Sequence, residues 1–314
     1  MLRHVLDMID LLDDPAATGA AVAERLAAIG AADVEIEVTT VQGEGGSTDF
    51  VRVVVPGTRG RLAGGDAPTL GIVGRLGGVG ARPERIGFVS DGDGAVAALS
   101  AAEKLAVMAR RGDRLAGDVI VGTHVCPDAP TEPHDPVPFM GSSVDMDQMN
   151  AYEVSAEMDA VLSIDTTKGN RIINHRGLAL SPTVKEGYIL RVSPDLVELL
   201  ETVTGRPVVT YPVTTQDITP YGNDVYHINS ILQPATATAA PVVGLAITAA
   251  SAVPGCGTGA SHETDIAEAA RYAIEVGKAF TAGQARFHDA AEFDRLVRLY
   301  GSMTRFQTLG TDAG

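Results

Sequence analysis

Carboxylates and one histidine stand at the ends of apolar segments in three separate parts of the chain. Asp91 follows an apolar stretch inside Ser-Asp-Gly-Asp-Gly, Asp165 ends a second one, and His262 opens a long amphipathic helix. Loops at strand ends and helix starts converge on one crevice in sheet enzymes. Carboxylates and imidazoles are common metal ligands, and a metal-bound water supplies hydroxide. The pattern therefore predicts a metal site at Asp91, Asp165 and His262.

Each of these residues also has a simpler structural interpretation. Asp91 and the neighbouring Asp93 suit the start of a helix, where a carboxylate accepts hydrogen bonds from backbone amides. Asp165 suits a turn residue, and His262 suits a surface histidine in a flexible turn. The glycine-rich segment 254–260 has a further use, because amides at a helix N-terminus bind phosphate or carboxylate without a metal.

Composition limits the classes of protein that fit. The 314 residues are 45% hydrophobic and 20% charged, enough to bury a full core without disulfides. The formal net charge of −16 argues against a nucleic-acid partner, because phosphate binding needs clustered Lys and Arg. No apolar run is long enough to span a bilayer, and Asp7 and Asp10 interrupt any signal peptide. Cys126 and Cys256 form no CxxC pair, so a reduced, cytoplasmic location is expected.

Helix and strand patterns alternate through nearly the whole length. Apolar residues at helical spacing and period-two alternation give the following elements. The predicted helices span residues 2–12, 15–30, 95–108, 193–200 and a stretch after 262, and the predicted strands span residues 33–39, 50–55, 69–74, 85–89, 118–125, 160–165, 188–192, 207–211 and 241–247. This order is typical of a single α/β domain, residues 1–314, with a mixed, largely parallel sheet flanked by helices in three layers.

The motifs and their order resemble the co-catalytic zinc aminopeptidases and carboxypeptidases, including the glutamyl aminopeptidase and endoglucanase-M-like group. In that family an Asp between a strand and a helix bridges two metals, as Asp91 would. A second Asp closes a later strand, as Asp165 does, and a His precedes the C-terminal helix, as His262 does. The resemblance runs from the first helix to about Phe280. It implies a zinc-exopeptidase-like fold and a divalent metal such as zinc.

The chain departs from that family at two positions. The family's His-x-Asp element, on the strand before the bridging Asp, corresponds here to residues 74–78, where Arg75 replaces a metal ligand. The family's paired glutamates correspond to Cys-Pro-Asp at residues 126–128, of which Asp128 is able to bind a metal. The chain is also similar throughout its length to an uncharacterised bacterial family with an altered site.

The resemblance implies a role for each remaining residue. The retained metal ligands are Asp91, Asp128 and His262, and Asp165 belongs to the second metal position. Asp93 or Glu132 would have to act as the general base. Arg75, a fixed positive charge, would bind a substrate carboxylate.

Three functions are consistent with these observations. The first is a metal-dependent hydrolase of a small peptide or amide, expected as a cytoplasmic homo-oligomer without membrane or nucleic-acid partners. The alternative is a non-catalytic protein of peptidase-like fold that binds a small anion through Arg75 and the segment 255–261. The third is an oligomeric scaffold with surfaces at the hairpin near Val51 and the loop around Pro133.

Overall fold

A computed structural model describes residues 1–80, 88–133, 139–167, 172–251 and 261–311 of the chain. The helices are α1 (Leu2–Leu12), α2 (Gly19–Ala27), α3 (Asp93–Arg110), α4 (Met146–Glu153), α5 (Pro194–Thr204), α6 (Glu263–Thr281) and α7 (Ala290–Tyr300). The strands are β1 (Glu35–Gly43), β2 (Gly46–Val55), β3 (Leu70–Gly74), β4 (Val119–Val125), β5 (Thr131–Glu132), β6 (Phe139–Met140), β7 (Ala160–Thr167), β8 (Gly177–Leu180), β9 (Val184–Lys185), β10 (Tyr188–Ile189), β11 (Val209–Thr210) and β12 (Val242–Thr248). In this part of the chain no helix is long and apolar enough to cross a membrane.

A mixed ten-stranded sheet forms the middle layer. Its strand order is β1-β2-β4-β3-β7-β12-β8-β11, with β9 pairing to β12 and β10 to β9. The central strands β4, β3, β7 and β12 run parallel, whereas β2 is antiparallel to β4 and β8 is antiparallel to β12. Every residue of β3, β4 and β12 is buried, as expected for parallel strands covered on both faces. The carboxyl ends of the four central strands therefore meet at one end of the sheet.

Two different layers cover the sheet. On one face α1, α2, α3, α5 and α6 bury their apolar sides in a cluster that includes Ile72 and Leu99. On the other face lie α4 and an irregular segment, residues 211–240, whose Ile231 packs in a second cluster with Val161. The three-layer, largely parallel α/β architecture predicted from the sequence is confirmed.

Some helices and strands have other bounds than the sequence predicts, because capping side chains and pairing with distant strands determine where they begin and end. α1 has the predicted bounds, but α2 begins at Gly19 instead of Pro15, because the Thr18 side chain caps it by accepting a hydrogen bond from the Ala21 amide. The strand predicted at 188–192 shrinks to the two residues of β10. β8 and α7 were not predicted, and most of the strand predicted at 85–89 lies outside the described residues.

Gly94, in the first turn of α3, determines how closely this helix approaches the sheet. A Cβ atom at Gly94 would lie 2.5 Å from the carbonyl oxygen of Ile164 and 2.8 Å from that of Arg75. Both contacts are backbone atoms at the carboxyl ends of β7 and β3. At Gly277, inside α6, a Cβ atom would lie 3.1 Å from a methyl carbon of the Leu115 side chain.

We expect Gly94→Ala to lower the free energy of unfolding by about 1–3 kcal/mol, because backbone atoms cannot move aside without shifting α3 from the sheet. Gly277→Ala is the matched control. It should be neutral or stabilising, since Ala favours helix by about 1 kcal/mol over Gly and the Leu115 side chain can rotate. Urea unfolding of both variants measures the difference, and equal effects would contradict the close backbone approach at Gly94.

Candidate functional site

Three side chains form a row across the carboxyl ends of adjacent parallel strands. His124 lies on β4, Arg75 follows β3, and Asp165 lies on β7. β3 pairs with β4 on one side and with β7 on the other, and this register places the three residues side by side across the strands. Because side chains alternate between the two faces along a strand, all three lie on the same face of the sheet. The amide of Arg75 donates to the carbonyl of Ile164 at 2.7 Å, which continues the pairing of β3 with β7.

Glu153, at the end of α4, joins two members of this row from the covering layer. Its Oε2 lies 3.3 Å from Nη1 of Arg75, and its Oε1 lies 2.7 Å from Nδ1 of His124. The Arg75 and Glu153 side chains are fully buried, and that of His124 is 3% exposed. Asn150, one turn earlier on α4, accepts a hydrogen bond from Nη2 of Arg75. The guanidinium and the carboxylate thus form a fixed, neutral pair inside the protein.

The amide of Asn150 connects this pair to the irregular segment. It donates to the carbonyl of Gln233 and to the hydroxyl of Thr236, each at 3.2 Å. The Gln233 side chain in turn donates to the carbonyl of Thr219 at 2.8 Å and accepts from the amide of Tyr221 at 3.3 Å. The position of Tyr221 is therefore coupled to α4 through side-chain amides.

A cavity of about 300 Å³ opens beside this row. Its lining includes the polar side chains of Asp91, His124, Cys126, Tyr221 and Ser230. Its apolar lining includes Leu76, Ala129, Met140, Val144, Met146 and Met149. Leu76 has a φ of +46°, a left-handed conformation that costs a residue with a Cβ roughly 1–2 kcal/mol. Leu76 thus turns into the cavity directly after Arg75, which stays buried.

Asp91 and Asp93 lie where β3 and α3 approach each other, but neither caps the helix. Asp91 is in the 3-10 turn Ser90–Gly92, is 3% exposed and lines the cavity. The N-cap residue of α3 is Gly92, and Asp93 is the first helical residue. The buried Asp93 carboxylate accepts a hydrogen bond from the hydroxyl of Ser261.

Asp165 is a strand residue and not the turn residue of the alternative interpretation, because β7 continues to Thr167. Its Oδ1 accepts from the amide of Thr166 at 2.7 Å, and its Oδ2 accepts from the hydroxyl of Ser230 at 3.1 Å. Burial raises the pKa of Asp165 to about 7, against the lowering effect of these two hydrogen bonds and of the Arg75 charge. Its carboxyl is therefore half-protonated near neutral pH.

His262 is the N-cap residue of α6, but its side chain makes no capping hydrogen bond. Its Nδ1 is buried and has no hydrogen-bond partner among the residues that the structure describes. Ser261 bonds to Asp93, which ties the start of α6 to the start of α3. The glycine-rich segment 254–260, predicted to bind anions, lies outside the described residues.

The other predicted residues are placed less centrally. Asp128 is exposed in the turn after β4, with Oδ1 3.8 Å from Sγ of Cys126. Glu132 lies in β5, and because its side chain is outside the described part of the structure, its role as a base stays a prediction. The guanidinium of Arg75 is enclosed, so a substrate carboxylate would have to displace Glu153 to reach it.

The described donors do not by themselves fit a metal ion. Within residues 1–80, 88–133, 139–167, 172–251 and 261–311, no three His, Cys, Asp or Glu side chains lie close enough together to hold one. Asp91 and Asp165 are nevertheless linked through neighbours, since the Thr166 hydroxyl donates to the Ser90 carbonyl at 2.6 Å. The predicted metal ligands therefore stay predictions.

Sequence reasoning missed the residues that organise the site from the covering layer. Glu153, Asn150, Tyr221 and Ser230 sit in segments with no signal that separates them from ordinary surface polar residues. His124 carried a signal, because it is a polar residue at the end of a strand that is otherwise mostly apolar.

The fold is that of peptidase-like α/β proteins. The bottromycin maturation enzyme BotP superposes with a TM-score of 0.50 at 17% identity, over 87% of this chain and 69% of that chain. A structure of BotP in complex with Mn gives a TM-score of 0.49 at 18% identity, over 86% and 70% of the two chains. The leucine aminopeptidase LAP1 of Caenorhabditis elegans gives 0.48 at 13% identity, over 86% and 65%. At these identities the likeness concerns the fold alone.

The family itself follows from the sequence. Residues 39–310 match the profile of the family "Protein of unknown function (DUF1177)", and the chain belongs to this family. No curated protein matches the chain.

The raised pKa of Asp165 predicts a pH dependence of stability. At pH values between the ordinary pKa of 3.8 and the folded-state pKa of about 7, Asp165 holds a proton in the folded protein that it has released in the unfolded chain. The free energy of unfolding therefore falls as pH rises through this range. Asp165→Asn should flatten this slope and raise the free energy of unfolding at pH ~8 by a few kcal/mol, at ~1.4 kcal/mol per pKa unit. Urea unfolding at several pH values, with a chelator present, measures the change.

Asp217→Asn is the control for this prediction, since Asp217 is also a buried aspartate. Its carboxylate accepts hydrogen bonds from the amides of Ile228, Asn229 and Thr214 and from the Thr214 hydroxyl. Asparagine offers one acceptor oxygen instead of two, so this variant should be less stable at the same pH. A loss of stability in Asp165→Asn at pH ~8 would contradict the prediction.

Proposed function

We propose that the chain is a hydrolase of small peptides or amides that binds its substrate in the cavity beside His124. The observation that carries the proposal is the location of this cavity at the carboxyl ends of central parallel strands in a peptidase-like sheet. Enzymes with open α/β sheets bind their ligands at this end. A volume of about 300 Å³ is at the small end of the range for ligand sites, which suits a substrate of one or two residues.

The lining of the cavity favours a particular kind of substrate. Met140, Met146 and Met149 give it an adaptable apolar wall, which suits an apolar side group. Asp91 contributes a carboxyl group, the described lining includes no Lys or Arg, and the positive charge of Arg75 is balanced by Glu153. A neutral or positively charged nitrogen is therefore favoured over an anion, which weighs against the anion-binding alternative.

The resemblance to co-catalytic zinc peptidases supports a divalent metal as a further part of the proposal. The proposed ligands are Asp91, Asp128, Asp165 and His262. The unpartnered, buried Nδ1 of His262 is a suitable donor, but a third converging donor is not found among the described residues. We therefore assign no chemical step to a metal, and a complete ligand set would need residues outside the described ranges.

Metal content and hydrolysis should be measured together. Purified protein, before and after incubation with Zn²⁺ or Mn²⁺, would be analysed for bound metal and assayed against a panel of amino-acid anilides and dipeptides. We expect cleavage of substrates with an apolar side chain and a free amine. Asp91→Asn should reduce kcat/KM by about 100-fold, a typical loss for a positioned group in a reaction centre.

Asp10→Asn, an exposed change on α1, is the matched control and should leave hydrolysis unchanged. If the wild-type protein cleaves no member of the panel with or without metal, the hydrolase proposal is overturned. Stabilisation of such an inactive protein against heating by acetate or inorganic phosphate would instead support the anion-binding function.

A further inference from the structure

The orientation of His124 is fixed by a partner on only one side of its ring. Nδ1 lies 2.7 Å from Oε1 of Glu153, and the ring of Phe50 packs against the imidazole with 5.3 Å between centroids. Nε2, on the other side of the ring, has no hydrogen-bond partner among the described residues, and His124 lines the cavity. Nε2 is therefore the nitrogen that a molecule in the cavity would meet.

We propose that Nε2 of His124 is the proton-transfer group of the cavity and that Glu153 and Arg75 are its positioning residues. The proposal rests on the proposed hydrolase function. A water oxygen bonds to the carbonyl carbon of the substrate amide while Nε2 accepts the proton that the water loses. The C–N bond then breaks, and Nε2 returns the proton to the leaving nitrogen. The products are a carboxylic acid and an amine, so one water is consumed for each amide cleaved.

Glu153 and Arg75 explain how a buried histidine can do this work. The Glu153 carboxylate selects the tautomer with a proton on Nδ1, which leaves the lone pair on Nε2. It also stabilises the imidazolium that forms when Nε2 accepts a proton. The Arg75 guanidinium pairs with Oε2, the other oxygen of the Glu153 carboxylate, and balances its charge. Asn150 on α4 accepts a hydrogen bond from Arg75 and so fixes the guanidinium. Full burial keeps water from competing for this ion pair and for the hydrogen bonds on either side of it.

The other titratable groups that face the cavity fit auxiliary positions. Asp91 faces it from the turn before α3, and Tyr221 from the irregular segment. Desolvation, together with the Asp165 carboxylate, raises the pKa of Tyr221 to about 12, so its phenol can donate a hydrogen bond. Burial raises the pKa of the Cys126 thiol, which also contacts the Ser143 hydroxyl at 3.1 Å, so it remains a thiol. Of these groups, His124 alone combines a fixed orientation with a free nitrogen lone pair.

The first test compares His124→Asn with His4→Asn, because His4 on α1 also has its Nδ1 near a glutamate, 3.4 Å from Oε2 of Glu103, but does not line the cavity. Asparagine keeps an amide donor for Glu153 but has no group in the place of Nε2, so we expect kcat to fall by about 100-fold or more. KM and the thermal midpoint should change little. His4→Asn should keep kcat within a few-fold of wild type. Exogenous imidazole should restore part of the activity of His124→Gly, because it can enter the space left by the side chain.

A kcat of His124→Asn within a few-fold of wild type would overturn the role of His124 while leaving the hydrolase function intact. A second readout does not depend on hydrolysis. Diethyl pyrocarbonate transfers an ethoxycarbonyl group to an imidazole nitrogen that carries a lone pair, and peptide mapping locates it. We expect His124 to react in the folded protein, and Glu153→Gln to slow this reaction. A folded wild-type protein whose His124 stays unmodified would overturn the proposal even if no substrate is found.

Discussion

The buried ion pair between Arg75 and Glu153 is the interaction on which the rest of the site depends. Removing one partner of such a pair leaves an uncompensated charge in the interior, at a cost of about 3–5 kcal/mol. The pair joins the central strand β3 to α4, and so holds the middle layer to the layer that covers it. Because Glu153 also binds His124 and Asn150 also binds Arg75, both α4 residues are fixed by the same constraint.

The same pair determines the electrostatics of the candidate site. At the carboxyl end of β3 the chain has a permanent cation, Arg75, with its own buried counter-ion, Glu153. The cavity therefore gains no net charge from Arg75 and Glu153, and Asp91 contributes the carboxyl that lines it. Asp165, set into the sheet next to Arg75, is still desolvated strongly enough for its pKa to rise to about 7. Burial thus raises the pKa of Asp165 by more than the nearby guanidinium lowers it.

The irregular segment 211–240 completes the site with two short 3-10 helices, Gln216–Ile218 and Gln233–Thr236, as its only helical turns. Several of its backbone groups bond to side chains, since buried backbone polar groups need partners. The Asp217 carboxylate accepts amide hydrogen bonds from Ile228 and Asn229, and Gln233 bonds to the backbone on both sides of Pro220. These contacts present Tyr221 and Ser230 to the cavity, opposite the strand ends that carry His124.

The sequence by itself determined the elements whose signals are local. Apolar periodicity gave α1, α3, α6 and the buried central strands, and the acidic positions at strand ends located Asp91 and Asp165 near the site. Only the tertiary structure decided the partners. Glu153 is one acid at the end of a short helix, and nothing in its neighbours predicts that β4 and β3 will bring His124 and Arg75 level beneath it. Such contacts arise from strand register and from the packing of layers built from distant segments. Because Arg75 and Glu153 are both buried, each charge needs the other as its counter-ion.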